Sequence, residues 1–379
     1  MSNNLLVRSS ALKLSRLVTL VGATLIIISA ILTACDQPPS PGAPPVTPPP
    51  APPPLAQELI LYNWSDDIPQ SVLKMFTKEF GVGVKYETFD SQEEASEQLQ
   101  KGKIVDVAVL ENDLIPTLTA SNLLLPINFR HVPNFKNISA NFRDLATDPG
   151  NRHTVPYYYG TSGLVVRTDL VGQSVTRWAD LWEPRYAGKI GLRAQPTELI
   201  AIALLSLGYA FGSEDEKQLE AALQRLIELK KRAIFVEIEA DTAVARILKG
   251  DVAILYGWPE EYRKAHEANP AVKYVLPAEG VPSWGENFVI PATSVSPYTA
   301  EVFINFLLRP EIAAQMVNEK KYATANEAAY PLIKPEIRDD PNIFPPPEVL
   351  RRTHFYPPLT PLGKKRYDDI WKRFLAAGQ

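Results

Sequence analysis

The sequence predicts an α/β protein of two lobes with a ligand cleft between them, on three observations. Apolar strand-like runs alternate with helical stretches, the body after residue 57 exceeds the about 250–300 residues at which a single core stops growing, and two extended segments break the alternation. Residues 58–64 (Glu-Leu-Ile-Leu-Tyr-Asn-Trp) are apolar enough for a buried strand, and a helix is expected over 68–80, closed by Gly81. Residues 83–89 alternate as a strand, 92–101 read as a helix and 105–110 as another buried strand. Strand, helix and strand with short connections imply a parallel sheet. The pattern recurs, with strands at 189–193, 234–238 and 252–256 and helices at 197–209, 214–231 and 242–249. Between the blocks, residues 154–167 are extended and carry Gly160 and Gly163, and residues 287–291 form a second extended segment. Two such crossings predict a hinge, with ligand held where the lobes meet.

The N-terminus follows a different plan. Arg8, Lys13 and Arg16 precede an apolar run over 17–32, after which Thr33-Ala34 leads into Cys35, the only cysteine of the chain. A basic start, an apolar middle and small residues before a cut are the plan of an export signal. A lone cysteine at this place resembles the bacterial lipoprotein signal, in which that residue is acylated and becomes the mature N-terminus. A membrane-spanning helix is the alternative, but it needs roughly 20 apolar residues, more than this run offers. Residues 38–54 are mostly proline, which favours an extended spacer of about 3.1 Å per residue. The expected division is therefore a signal over 1–34 and a lipidated Cys35 with a tether over 35–57.

Charge and motifs exclude several functions. The chain carries 39 basic and 43 acidic residues, a net of −4, and loss of the signal with its three basic and no acidic residues takes this to −7. An acidic body argues against nucleic acid as a partner. Once Cys35 is acylated no thiol remains, so packing must hold the fold. His131, His153, His266 and His354 are scattered without metal-ligand spacing, so neither a metal nor a cofactor is expected. The chain has no Gly-x-Ser-x-Gly, no phosphate loop and no nucleophile–histidine pair by motif, and is not expected to be an enzyme.

In open α/β sheets, ligands sit beyond the carboxyl ends of the strands. Trp64-Ser65-Asp66 follows the first strand, Gln195-Pro196-Thr197-Glu198 the strand at 189–193, and Trp258 the strand at 252–256; Trp284-Gly285-Glu286 precedes the second extended segment. Each has a local reading. Ser65 or Asp66 suits a helix cap, and Glu198, with Pro196 at the first helical position, sits where a capping-box glutamate belongs. A tryptophan alone is as well explained by the core. Taken together, aromatic and carboxylate side chains around one cleft suit an organic cation. A buried ammonium must be paired, and an aromatic face adds roughly 0.5–2 kcal/mol.

Three segments carry a family resemblance: Tyr62-Asn63-Trp64-Ser65-Asp66, the stretch 178–188 (Trp-Ala-Asp-Leu-Trp-Glu-Pro-Arg-Tyr-Ala-Gly), and Ile304-Asn-Phe-Leu-Leu-Arg-Pro310. With Trp284-Gly285-Glu286, the chain from 59 to 374 resembles the spermidine/putrescine-binding proteins of bacterial ABC importers. The resemblance implies a type II periplasmic-binding-protein fold with a hinge and an interlobe cleft. It places Trp64, Trp258, Trp284 and Tyr322 on aromatic positions that line the methylene chain, and Ser65, Asp66, Glu198 and Glu286 on polar positions that take the ammonium groups. Gln195 stands where the spermidine binder has an aspartate, Asp113 falls near a ligand-contacting tyrosine with Glu111 beside it, and Tyr356 replaces an amide. These departures leave the choice of polyamine open.

The resulting expectation is a monomeric, lipid-anchored binding protein that delivers a polyamine to an ABC permease, which leaves ATP hydrolysis to another subunit. Its lobes are expected over 58–160 with 285–321 and over 161–284 with 322–379, the latter ending in a helical segment. The alternatives are a binder of ferric iron or a thiamine-like cation, a lipid-anchored enzyme using Glu198 and Glu286, and a polyamine sensor.

Overall fold

The computed structural model describes residues 52–377 apart from 173 and 237–239. The export segment, Cys35, most of the proline run and the end of the strand expected over 234–238 lie outside the described residues. Twelve strands follow in chain order: β1 Glu58–Trp64, β2 Gly83–Phe89, β3 Val107–Glu111, β4 Val155–Thr161, β5 Gly163–Arg167, β6 Ile190–Leu192, β7 Ala233–Phe235, β8 Ile254–Gly257, β9 Val272–Val275, β10 Val281–Val289, β11 Ala323–Thr324 and β12 Thr353–Phe355. They form two sheets. The first runs β11-β4-β10-β3-β1-β2, with β12 also on β10, and the second runs β7-β6-β8-β5-β9.

The apolar runs are continuous because each sheet is covered on both faces. Leu59 and Leu61 of β1 point into a core with the helices Gln70–Phe80, Pro297–Leu307 and Pro310–Lys320, where Phe76 meets Phe303 at 4.9 Å between ring centroids. Tyr62, the residue after Leu61, faces the opposite core with Phe89 and Leu110. In the second sheet, Leu164 and Ile254 pack on the helices Pro196–Ser206, Glu216–Lys230 and Pro361–Ala376, while Val165 and Leu255 pack on the other side with Val244 and Ile247. Burying side chains of this size contributes about 1.5–3 kcal/mol each, enough to hold the lobes without a disulfide.

The expected parallel pairings hold for β1 with β2 and β3, and for β6 with β7 and β8. Both sheets are mixed rather than purely parallel, because the crossing segments join them antiparallel: β10 against β3 and β4, and β5 against β8 and β9. The extended stretch 154–167 divides at Ser162 into β4 in the first sheet and β5 in the second. The second crossing lies between β9 and β10, earlier than expected, so residues 281–284 belong to the first sheet. The Ser162 N–H donates to the Pro282 carbonyl at 2.8 Å, which ties the two crossings together.

The division expected for the last part of the chain needs correction. Residues 322–379 do not stay in the second lobe, since β11 and β12 pair in the first sheet and Ala325, Ala329, Ile333 and Ile337 enter its core. Only the closing helix Pro361–Ala376 returns, through Tyr367, Ile370 and Phe374. The physical reason is the free edge of β4, which β11 covers.

Gly160 has a packing role rather than one in hinge flexibility. It lies opposite Trp284 in the β4–β10 register, and a Cβ there would sit 2.1 Å from Trp284 Cζ2. Gly160→Ala is expected to expel the indole from its seat and to cost about 1–3 kcal/mol of unfolding free energy. Urea denaturation of the purified variant checks this.

Candidate functional site

The carboxyl ends of β1, β3, β6 and β8 open on one crevice. β1 ends at Trp64, whose ring leans on Phe89 at the end of β2 with centroids 4.7 Å apart. β3 ends at Glu111, which stands directly opposite Glu286 of β10 in the antiparallel register. The turn after Glu111 is pinned through Asn112, whose backbone N–H donates to the Gly285 carbonyl at 3.0 Å while its side-chain oxygen accepts from Asn287 at 2.7 Å. Gly285 is required beneath it, for a Cβ would lie 2.5 Å from Asn112 Nδ2. Asn112 is thus packed down, and its neighbours Glu111 and Asp113 flank a narrow void of about 170 Å³ together with Trp284, Phe355 and Tyr356. A larger groove of about 720 Å³ beside Glu311, Gln315 and Leu332 is an open surface feature without aromatic walls or any member of this cluster.

The second lobe supplies Glu198 and Trp258. Glu198 does not cap its helix: the Gln195 N–H donates to Arg193 O at 2.9 Å instead, and Ser162 Oγ donates to Glu198 Oε1 at 3.3 Å. Trp258 Nε1 in turn donates to Ser162 Oγ at 3.2 Å. A chain of hydrogen bonds therefore runs Trp258–Ser162–Glu198 through the crossing point itself. Under Trp258 lies a fully buried ion pair, Arg193–Glu261 at 2.8 Å. The Arg193 guanidinium is 4.5 Å from the indole centroid, and Glu261 accepts the Trp258 backbone N–H at 2.7 Å. This pair fixes the platform from below.

Trp284 and Tyr322 form the facing wall, edge to face at 6.1 Å. Tyr322 belongs to the first core, yet its hydroxyl donates to Glu260 Oε2 of the second lobe at 2.9 Å, and Lys264 holds the other oxygen of Glu260 at 2.8 Å. This contact bridges the two lobes at the cleft.

Charge in the crevice is out of balance. Glu286 is 7 % exposed, and burial followed by repulsion from Asp67 and Glu111 pushes its carboxyl well above the usual range. Trp64 Nε1 leans toward it, the one local influence favouring its charged form, but stays buried without completing a hydrogen bond. Glu111 is raised likewise, by burial and then by Asp113 and Glu198. Glu198 is pushed up to about 7, chiefly by burial, against the opposing effects of Ser162 and Arg193. Its Oε2 is buried without a partner, as is the nearby Tyr356 hydroxyl. Asp113 is exposed as a residue at the mouth, yet burial of its carboxyl, with repulsion from Glu93, raises it as well. Arg193, the protein cation felt at Glu198, is already committed to Glu261.

Of the expected site residues, Trp64, Glu198, Trp258, Trp284, Glu286, Tyr322 and Asp113 are thus brought to one crevice. Ser65 and Asp66 are not: both are exposed, and Asp66, with φ 58°, turns its side chain outward to Lys320 at 2.8 Å. Ser162, Glu261 and Asp67 also belong to the neighbourhood, with no sequence signal to mark them, and Glu111 joins them from beside Asp113. Among the described residues, no group of three or more His, Cys, Asp or Glu is arranged to hold a metal ion.

Residues 71–345 match the bacterial extracellular solute-binding proteins. The chain belongs to that family. Among its relatives, the spermidine/putrescine-binding periplasmic protein of Escherichia coli K12 is 31 % identical over 296 residues, which cover 77 % of this chain and 84 % of the relative. The putrescine-binding periplasmic protein SpuD of Pseudomonas aeruginosa UCBPP-PA14 is 30 % identical, with coverage of 83 % and 91 %. A crystal structure of the spermidine/putrescine ABC transporter substrate-binding protein PotD from Streptococcus pneumoniae, in complex with calcium and HEPES, superposes with a TM-score of 0.76 at 31 % identity and covers 86 % of this chain and all of that one. Among the described residues of this solute-binding protein, no helix is long and apolar enough to cross a membrane.

The raised carboxyls make a stability prediction. Glu198 holds its proton up to about pH 7 when folded but only to about 4.5 when unfolded. The folded state therefore binds more protons across that window, and its stability falls as pH rises through it. The melting temperature of the empty protein is expected to drop between pH 5 and 7.5, and Glu198→Gln to flatten that drop; parallel curves for the two proteins would contradict it.

Proposed function

We propose that this solute-binding protein captures a polyamine between its lobes and delivers it to an ABC permease, as a monomeric, non-enzymatic component held to the membrane by a lipid on Cys35. The observation that carries the ligand class is the row of carboxylates formed by buried Glu286 and half-buried Glu111 and Glu198, where Arg193, the cation felt at Glu198 among the described residues, is already committed to Glu261. A buried charge without a partner is costly, and a cationic ligand supplies the partner. The walls are aromatic rather than polar, which suits a chain of methylenes between amines. The names of the relatives point the same way.

The roles follow from position. Trp64, Trp258, Trp284 and Tyr322 enclose the alkyl chain; Glu198 and Glu286 take ammonium groups from opposite lobes, and Asp113 attracts the ligand at the mouth. Ligand contacts to both lobes favour closure, because they are absent when the cleft is open. An extended cation fits a row of carboxylates spread along the crevice better than ferric iron does, since a point-like ion needs its ligands gathered at one place.

Calorimetry with putrescine, cadaverine, spermidine, spermine and ferric iron tests the ligand. At least one polyamine is expected to bind with a Kd below about 100 μM, and Glu286→Gln to weaken it by at least about 2 kcal/mol. Binding of iron alone, or of no polyamine, would reject the reading. Anchoring has its own test: Cys35→Ser is expected to move the protein from the membrane fraction to the soluble one in cell fractionation.

A further inference from the structure

The turn after β1 carries two adjacent aspartates with opposite fates. Asp66 is 81 % exposed and paired with Lys320, whereas Asp67 is 7 % exposed. Asp67 is held by Asn63, which is fully buried at the end of β1: Asn63 Nδ2 donates to Asp67 Oδ2 at 2.8 Å, and Asn63 Oδ1 accepts the Trp64 N–H at 2.7 Å. The same asparagine therefore sets both the carboxylate and the backbone of the tryptophan above it. Asp67 does not cap the following helix, whose first turn is closed by Pro69 without a side-chain bond.

Asp67 lies within electrostatic reach of the site. It is the leading charged neighbour of Glu286, and it also acts on Tyr322 and Tyr158. The other groups around it are Tyr86, Tyr157, Asp66 and Lys320. Lys320 is the lysine felt there, and its Nζ is engaged by Asp66 at 2.8 Å. A second feature points to an incomplete set of partners: Tyr158 is 1 % exposed, and its buried hydroxyl has only the adjoining Tyr157 hydroxyl beside it, without a well-formed hydrogen bond.

We propose that Asp67 and Glu286 together hold one ammonium group of the ligand, with the Tyr158 hydroxyl as a third acceptor, so that Asp67 is the acidic end of the slot in the first lobe. This rests on the polyamine reading above. An ammonium has three N–H donors and no acceptor. Two carboxylates and a hydroxyl oxygen match that inventory, and a single ammonium relieves the repulsion between the two acids. Asp66 serves only to hold Lys320 outside.

The test compares Asp67→Asn, Asp66→Asn, Tyr158→Phe and the double variant Asp67→Asn/Glu286→Gln by calorimetry with putrescine and spermidine. Asp67→Asn is expected to weaken binding at least about tenfold and Asp66→Asn less than about threefold. The double variant should lose less than the product of its single losses, because both acids act on one ammonium. If Asp67→Asn fails to fold, Tyr158→Phe decides the matter, with a loss of about threefold or more expected for a lost hydrogen bond. A wild-type protein that binds polyamine while Asp67→Asn or, failing that, Tyr158→Phe binds equally well would overturn this inference alone. A wild-type protein that binds no polyamine would overturn the ligand reading with it.

Discussion

Glu286, Glu111 and Glu198 are brought together by backbone geometry that leaves them little choice. Glu286 and Glu111 are register partners on adjacent strands, and directly opposite residues in an antiparallel pair have Cα atoms roughly 4.5–5.5 Å apart. Like charges so placed destabilise a sheet. The protein accepts that cost in the middle of its first sheet, where apolar residues at the same positions would pack without penalty. In the empty crevice burial and mutual repulsion favour the protonated acids, and on the proposed reading an entering cation takes over that neutralisation. Ligand binding and the neutralisation of this row are then the same event.

The rest of the scaffold holds the row in place and lets it close. Asn112, wedged between Gly285 and Asn287, fixes Glu111 on one side, and Asn63 fixes Asp67 on the other. Ser162 sits at the crossing between the sheets and bonds to both Glu198 and Trp258, so a rotation of the lobes about that point carries an acid and an aromatic wall together. The buried Arg193–Glu261 pair keeps Trp258 rigid as it moves; losing one partner of such a pair typically costs about 3–5 kcal/mol. Tyr322 and Glu260 meet across the gap and add a closing contact independent of ligand.

Much of this was legible in the sequence because it depends on local pattern. The apolar runs at 58–64 and 252–256 and the alternation at 83–89 marked the strands, and aromatic or acidic residues near strand ends marked Trp64, Glu198 and Trp258. What escaped depends on contacts distant in sequence or on one dihedral angle. Nothing in Asp66-Asp67 tells which one faces inward; the left-handed turn at Asp66 decides it. Glu198 satisfies the capping-box pattern, and only the position of Ser162, 36 residues earlier, diverts it to the cleft. Arg193 and Glu261 are 68 residues apart and carry no motif. The helices Pro259–Ala268, Pro297–Leu307 and Pro310–Lys320 each have a proline in the first turn, a start signal that was present but not used. The return of β11 and β12 to the first sheet could not be read at all, because strands of two and three residues have no periodicity.

The claim that the ligand neutralises the acidic row is tested most directly by calorimetric titration of spermidine into the protein at pH 6.5, in buffers of different ionisation enthalpy. At that pH the polyamine is fully charged, while Glu198, pushed up to about 7, keeps most of its proton in the empty crevice, and burial and mutual repulsion raise Glu286 and Glu111 in the same direction. The ammonium groups favour the ionised acids, so binding should release protons, and the observed enthalpy should vary with the buffer in the direction of net release. An enthalpy that is the same in every buffer, for a ligand that does bind, would contradict the account.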